Sequence, residues 1–254
     1  MKRLAGLAWL AASAAHAGGN LLLIDPVPES ATLAVGASVW RLPAGASLQP
    51  ARTVILPSAE AYRASGLFAS TDNGLGWNLS RSRETQWGLR LWPQLGVRAQ
   101  DRPAGLGGVG TRLQVQAFAN HAPFEALLLQ SALAYGSGVH HDGAQLELGA
   151  TSGIPLGAAT LGIGWSVNYA NQAFRQSYWG VSPQQAQASG LPARALAAGR
   201  QDSTITLSAE HKLGAHWRVD AQWLQSLVTR SSAGPLWSNQ RHQRAGTLSL
   251  WRDL

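Results

Sequence analysis

The sequence predicts an all-β fold: a transmembrane, antiparallel, up-and-down β-barrel of 12 strands, with ten strands as the alternative. Three observations predict it. Apolar and polar residues alternate with period two along most of the chain from residue 31 on. Charged residues make up only 13% of the chain, about half the ~25% of an average soluble protein. The 11 Trp outnumber Phe and Tyr together. Trp40, Trp87, Trp92, Trp165, Trp179, Trp217, Trp223 and Trp251 sit mostly within or near the ends of the alternating segments, where barrels carry their interfacial girdles.

The first element is a targeting segment. Lys2 and Arg3 form a charged start, Leu4 to Ala15 is apolar, and Ala15-His16-Ala17 is a small-x-small cleavage pattern before Gly18. After Ala17 no stretch approaches the ~20 apolar residues of a membrane helix. The expected organisation is a signal peptide over 1–17, a periplasmic N-terminal segment over 18–30 and the barrel over 31–254. The mature chain is then exported to the cell outer membrane, with outer-membrane lipids as its surroundings.

Strands are expected at 31–41, 51–61, 66–72, 75–81, 86–98, 110–120, 124–136, 143–152, 158–172, 202–213, 216–228 and 241–252. The alternation is clearest in the second half. Leu113, Val115 and Ala117 alternate with Arg112, Gln114 and Gln116, and Leu146 and Leu148 flank Glu147. Leu161, Ile163, Trp165, Val167 and Tyr169 alternate with Gly, Ser, Thr and Asn. Ile205 and Leu207 alternate with Thr204 and Thr206, and Trp217, Val219 and Trp223 with Arg218, Asp220 and Gln222. A soluble sandwich would show water a Lys/Glu/Thr face. Here the polar face is small and amide-rich, which suits a hydrated barrel interior, and a closed barrel leaves no edge unpaired in lipid. Arg112, Glu147, Glu210, Arg218 and Asp220 are expected to face inward, to pair and to plug.

Connections alternate in length. Those at 120–124, 153–158 and 213–216 are short, whereas 42–50, 99–109, 173–201 and 229–240 are long. Short turns face the periplasm and long loops face outside, which puts both termini in the periplasm. Asp72-Asn73-Gly74 reads as a type I′ hairpin. If 66–81 were one kinked strand, ten strands would be the better arrangement. In the longest loop, Ser182 is a helix N-cap with Pro183 at the first helical position and Gln185 three residues on. Gln184 to Ser189 then form a short helix, Gly190 its left-handed C-cap, and Pro192 prevents continuation. Tyr178 and Trp179 are expected to anchor this loop at the rim, with Leu191 against the barrel wall.

Other chemistry is weaker. With no Cys, disulfides, Cys-ligated metals and thiol nucleophiles are excluded. The +7 charge is scattered and makes no phosphate-binding stripe, so nucleic acid is not an expected partner. The Gly-rich run 105–110 lacks the Lys and the strand–loop–helix setting of a P-loop. His140-His141-Asp142 offers a base beside an acid, but its adjacent residues diverge and its ligands are few. No catalytic, cofactor or metal site is expected.

The run from Gln176 to Asp202, QSYWGVSPQQAQASGLPARALAAGRQD, resembles the signature of the MipA/OmpV family. Tyr178, Trp179, Gly180, Val181, Ser182, Pro183, Gln185, Ser189, Gly190, Leu191 and Pro192 fill its pattern. Gly74 to Ser80, Val39 to Leu42, Leu213 to Trp217 and Ser231 to Leu236 resemble further family segments, so the likeness covers about 31–252. It implies an outer-membrane barrel without enzymatic activity, acting as a scaffold between a lytic transglycosylase and a bifunctional murein synthase in peptidoglycan remodelling. A small-solute channel is the alternative and a lipid-modifying enzyme the third. Two departures stand out: Asp253-Leu254 replaces the family's terminal aromatic, and Thr229 to Ser232 lacks its acidic residue.

Overall fold

The computed structural model describes residues 27–43, 51–124, 126–229 and 242–254. The expected signal peptide, most of the 18–30 segment and most of the loops at 42–50 and 229–240 lie outside these.

Twelve strands close into one antiparallel barrel, each paired with its sequence neighbours and β1 with β12. They are β1 Thr32–Leu42, β2 Arg52–Tyr62, β3 Leu67–Ser70, β4 Gly74–Asn78, β5 Thr85–Gln94 and β6 Arg112–Phe124. β7 Leu127–Ser137, β8 Gly143–Leu156, β9 Ala159–Ala170, β10 Gly199–Lys212, β11 Trp217–Val228 and β12 His242–Asp253 complete it. The twelve-strand reading holds. Its odd element is β3–β4, a real but very short hairpin.

The period-two pattern explains the wall. Ile55, Leu89, Leu113, Leu133, Ile163, Leu207 and Leu248 are all exposed, so the apolar face points away from the lumen. A belt this large would be an aggregation surface in water; in a bilayer it is the solvated face. Exposed Trp77, Trp87, Phe124 and Trp217 ring the end with the short turns, and Tyr135, Trp165, Tyr169 and Trp223 lie towards the other end. Not every Trp joins these girdles. Trp92 and Trp251 are buried. Trp40 shares the inward parity of Ala34 and Ser38, and Trp179 belongs to a loop helix. Val167 has the outward parity but is only 8% exposed, between Leu148 and Ser203 on the flanking strands.

Several boundaries differ from the sequence reading: β4 stops at Asn78 rather than 81, β5 at Gln94 rather than 98, and β10 starts at Gly199 rather than 202. β6 continues to Phe124 and β8 to Leu156, through residues expected to be turns. The backbone of Gly153 to Leu156 goes on pairing with Gly162, Leu161, Thr160 and Ala159 of β9. The turn expected at Asp72-Asn73-Gly74 is Thr71 to Asn73, joining paired Ser70 and Gly74. Ser70 Oγ accepts from the Asp72 and Asn73 N–H groups at 3.0 and 3.3 Å, which fixes the tip. β3 pairs only with Glu60 to Tyr62 of β2, so the hairpin stops part-way up the wall.

First and last strands are stitched from inside. The Ser38 hydroxyl on β1 bonds those of Ser58 on β2 and Ser249 on β12, the latter at 2.7 Å. The C-terminus completes the same seam. The Leu254 N–H donates to the Leu33 carbonyl at 2.9 Å, and the Asp253 N–H to that of His216 at 2.9 Å.

Candidate functional site

The long loop after β9 folds back over the barrel end that bears the long loops. It opens with a helix absent from the sequence reading, α1 Gln172–Trp179. Asn171 caps it, its side chain accepting from the Phe174 N–H at 2.9 Å. Phe174 and Tyr178, one helical turn apart, stack with ring centroids 4.6 Å apart. Trp179 meets Phe174 edge-on at 5.8 Å. These rings pack with Val97 and Val109 from the loop after β5, Ala170 from β9 and Leu196. Tyr178 is fully buried, and its hydroxyl donates to the Leu95 carbonyl at 3.2 Å. Burial pushes that phenol above its usual range. Burial likewise pulls the nearby Arg102 guanidinium below the usual arginine range.

The second half of the loop follows the sequence closely. α2 is Pro183–Ser189, with the full capping box between Ser182 and Gln185 and with Gly190 left-handed at φ 72°. Gln185 also donates to the Leu106 carbonyl at 2.7 Å, tying α2 to the loop after β5. Val181 pairs with Arg194 in an isolated bridge. The Gln176 amide clips the returning chain, accepting from the Leu196 N–H at 3.0 Å and donating to the Arg194 carbonyl at 3.2 Å. Gly180 sits against this amide, and a Cβ there would lie 2.1 Å from its nitrogen. Of the signature residues, Tyr178, Trp179, Gly180 and Val181 are buried, whereas Gln185, Ser189 and Leu191 are half-buried and Pro183, Gly190 and Pro192 exposed. The expected anchor Leu191 is therefore not the buried leucine. Leu196 is, because the bridge at Val181 turns the chain back before its apolar contact is made.

Below this lid, polar side chains cross the lumen in layers. Gln145 on β8 donates to Gln94 on β5 at 3.1 Å. Next, Arg90 on β5 hydrogen-bonds Gln116 and reaches the Asn73 carbonyl at 3.0 Å, with its guanidinium 4.6 Å from the Trp92 ring centre. Asn168 donates to Asp202 at 2.9 Å. The space left among Arg90, Gln114, Glu147, Asn168 and Asp202 is ≈ 40 Å³, room for a few water molecules. At the end with the short turns, Arg218 on β11 bonds Glu60 on β2, Asp253 at 3.2 Å and Asp220 at 3.5 Å. It also stacks on Trp251 at 5.1 Å. Arg218, Asp220 and Glu147 face inward as expected. Glu60 and Arg90 were not singled out in the sequence, although their parity marks them.

His140 and Asp142 sit in the turn between β7 and β8 and line an outer cleft of ≈ 790 Å³ with Ser177 and Ser182. The Ser177 hydroxyl donates to the Ala173 carbonyl at 2.8 Å and accepts from the Val139 N–H at 3.0 Å. Ser182 is the α2 cap. Neither hydroxyl is bonded to an imidazole in this geometry. Among the described residues no three His, Asp or Glu gather into a metal-holding group.

No curated protein matches the sequence. The fold is similar to that of an outer-membrane channel from Pseudomonas putida F1, with 12% identity, coverage of 91% of this chain and 97% of that one, and a TM-score of 0.49. It is also similar to a bacterial polysaccharide outer-membrane secretin, at 8% identity, 89% and 99% coverage and a TM-score of 0.45. The CymD monoaromatic hydrocarbon channel shares 7% identity, with 91% and 89% coverage and a TM-score of 0.42. These likenesses concern fold alone. The family described as MltA-interacting protein MipA matches residues 33–250, which is nearly the whole described barrel and its lid, and the chain therefore belongs to the MipA family of outer-membrane β-barrel proteins.

Proposed function

We propose that the protein is an outer-membrane scaffold that brings a lytic transglycosylase together with a bifunctional murein synthase, coupling murein cleavage to synthesis. The observation that carries this reading over a channel is the filled barrel. A packed aromatic lid covers one end, and Arg218 with its three carboxylates ties strands together across the other. Side chains of both signs in a small lumen favour pairing over conduction. What is left for function is surface. The family's description as an MltA-interacting protein supports a murein hydrolase as one partner.

In this reading the signature residues from Tyr178 to Pro192 hold the lid shut. The periplasmic turns make the contact surface, where Arg63, Arg81, Arg83 and Lys212 are exposed. Cleavage after Ala17 is part of the same reading, with 18–30 as a periplasmic N-terminal segment. The test uses the full-length barrel in detergent with a purified lytic transglycosylase and a purified murein synthase, added singly and together. A saturable ternary complex, with no conductance steps in planar bilayers, is expected. Conductance steps without binding of either enzyme would overturn the scaffold in favour of a small-solute channel.

A further inference from the structure

Strand parity puts the acids of the strands inside, beside Arg90, Arg112 and Arg218, and leaves arginine as the charge on the outer face. The acidic residues within the described strands, Glu60, Glu147, Asp202, Glu210 and Asp220, all lie on inward-facing positions, and Asp253 turns to Arg218 at the periplasmic rim. The lipid-facing positions carry arginine instead: Arg41, Arg200, Arg244 and Arg252. All but Arg252 lie at the end bearing the long loops, which faces outside.

Arg41 and Arg244 lie on the same outward face on either side of the β1–β12 seam. Arg41 is directly opposite Gly246, so Arg244, two residues away on the same face, is its diagonal neighbour at about 7–8 Å. On the other side of β12, Gly246 is opposite Trp223 and Arg244 opposite Gln225. Arg41, Gly246 and Trp223 thus share one outward-facing row across β1, β12 and β11, with Gly246 adding no side chain between the other two. The next row towards the bilayer centre, Val39, Leu248 and Ala221, is apolar. Arg41 donates to Thr53 Oγ1 at 3.3 Å, and the ion pairs among the described residues include neither Arg41 nor Arg244.

We propose that this seam patch binds a phosphorylated glycolipid of the outer leaflet, with Arg41 and Arg244 on a phosphomonoester, Trp223 against the sugar and the acyl chains over Val39 and Leu248. The charge pattern selects this occupant. A guanidinium on the lipid face is costly at mid-bilayer and nearly free near the interface, so the outer rim is where arginine is tolerated. Two exposed arginines on diagonal positions of one face can turn their long side chains onto a dianionic phosphomonoester, which accepts several charge-assisted hydrogen bonds at once. Phosphatidylglycerol, a phosphodiester, carries one charge and a glycerol headgroup with no sugar face for Trp223.

The test uses the intact protein in detergent, with bound lipid followed by native mass spectrometry. The probes are bis-phosphorylated lipid A, the same lipid after dephosphorylation, and phosphatidylglycerol. The wild type is expected to prefer the phosphorylated lipid A over both others. R41Q/R244Q is expected to lose about tenfold or more of that affinity and to bind dephosphorylated lipid A as the wild type does. R41K/R244K should recover most of the loss, and R252Q, at the opposite rim, should change nothing. Equal binding of all three lipids, unchanged binding by R41Q/R244Q, or displacement by an equal concentration of inorganic phosphate would each overturn the proposal. Heat-shifted gel mobility reports folding. If the double variant does not fold, R41Q and R244Q are read singly, and no loss in either sinks it.

Discussion

Tyr178 and Leu95 lie 83 residues apart, yet the Tyr178 hydroxyl donates to the Leu95 carbonyl at 3.2 Å. That bond fastens α1 to the outer end of β5. It makes the lid one packed body with the loop after β5.

The lid should respond to pH through this phenol. Its ordinary value is 10.0, and burial raises it in the folded protein. Between those two values the released lid binds fewer protons than the packed one, so packing is independent of pH below about 10 and weakens as pH rises above it. Protease cleavage within 183–200 should stay flat up to pH 10 and then increase. In Tyr178→Phe the alkaline increase should vanish, and a persisting increase would mean that another group releases the lid.

Gly190 should tolerate no Cβ, for a backbone reason. A Cβ there meets no atom within 4 Å, but the φ is 72°. The left-handed region costs an L-residue about 1–2 kcal/mol, and more with a β-branch. Gly190→Val should therefore speed proteolysis of α2 while the barrel keeps its heat-shifted mobility on gels. Equal proteolysis of variant and wild type would show that α2 is not fixed by its C-cap.

Arg218→Met should destabilise the barrel by about 1.5–3 kcal/mol, the range for hydrogen bonds to a charged group. It leaves Glu60, Asp220 and Asp253 facing one another without their shared cation. Urea unfolding of protein folded into lipid vesicles measures the loss. A stability within about 0.5 kcal/mol of wild type, the usual range for surface changes, would show that the three carboxylates are solvated separately.

On the wall, Leu207→Arg should cost about 2–4 kcal/mol, the lipid-face penalty near mid-bilayer. Leu207 is 46% exposed, and its neighbour Thr206 is 7% exposed on the lumen side. Thr206→Arg should fail differently, by crowding, with a loss that does not change with lipid chain length. Matching dependence on lipid thickness at both positions would contradict their opposite faces.

Much of this fold was legible because lipid and lumen impose opposite demands on alternate residues. Leu161, Ile163 and Trp165 announce β9 without any reference to its neighbours. The capping box at Ser182 and Gln185 was legible too, since its chemistry is local. Helix α1 was hidden because its caps do not stand out: Asn171 and Gln172 read as a strand end, and the Phe174–Tyr178 spacing was the available signal. Trp92 and Trp251 have lumen parity, but their bulk suggested a girdle. The Arg218 clamp was half legible. Parity turns Arg218 and Asp220 inward, whereas the approach of Glu60, 158 residues away, depends on strand stagger and closure.

The serine trio at the seam bears on how the molecule comes into being. Ser38 and Ser249 are 211 residues apart, so the cylinder is sealed only by its final strand. The entropy of closing so long a segment rises only logarithmically, by about 0.6 kcal/mol per doubling. The delay is therefore kinetic rather than energetic. Until the tail arrives, β1 presents a bare edge on which any passing strand can pair. The pairing of β1 with β12 from Ala34 to Arg41 is what removes that edge.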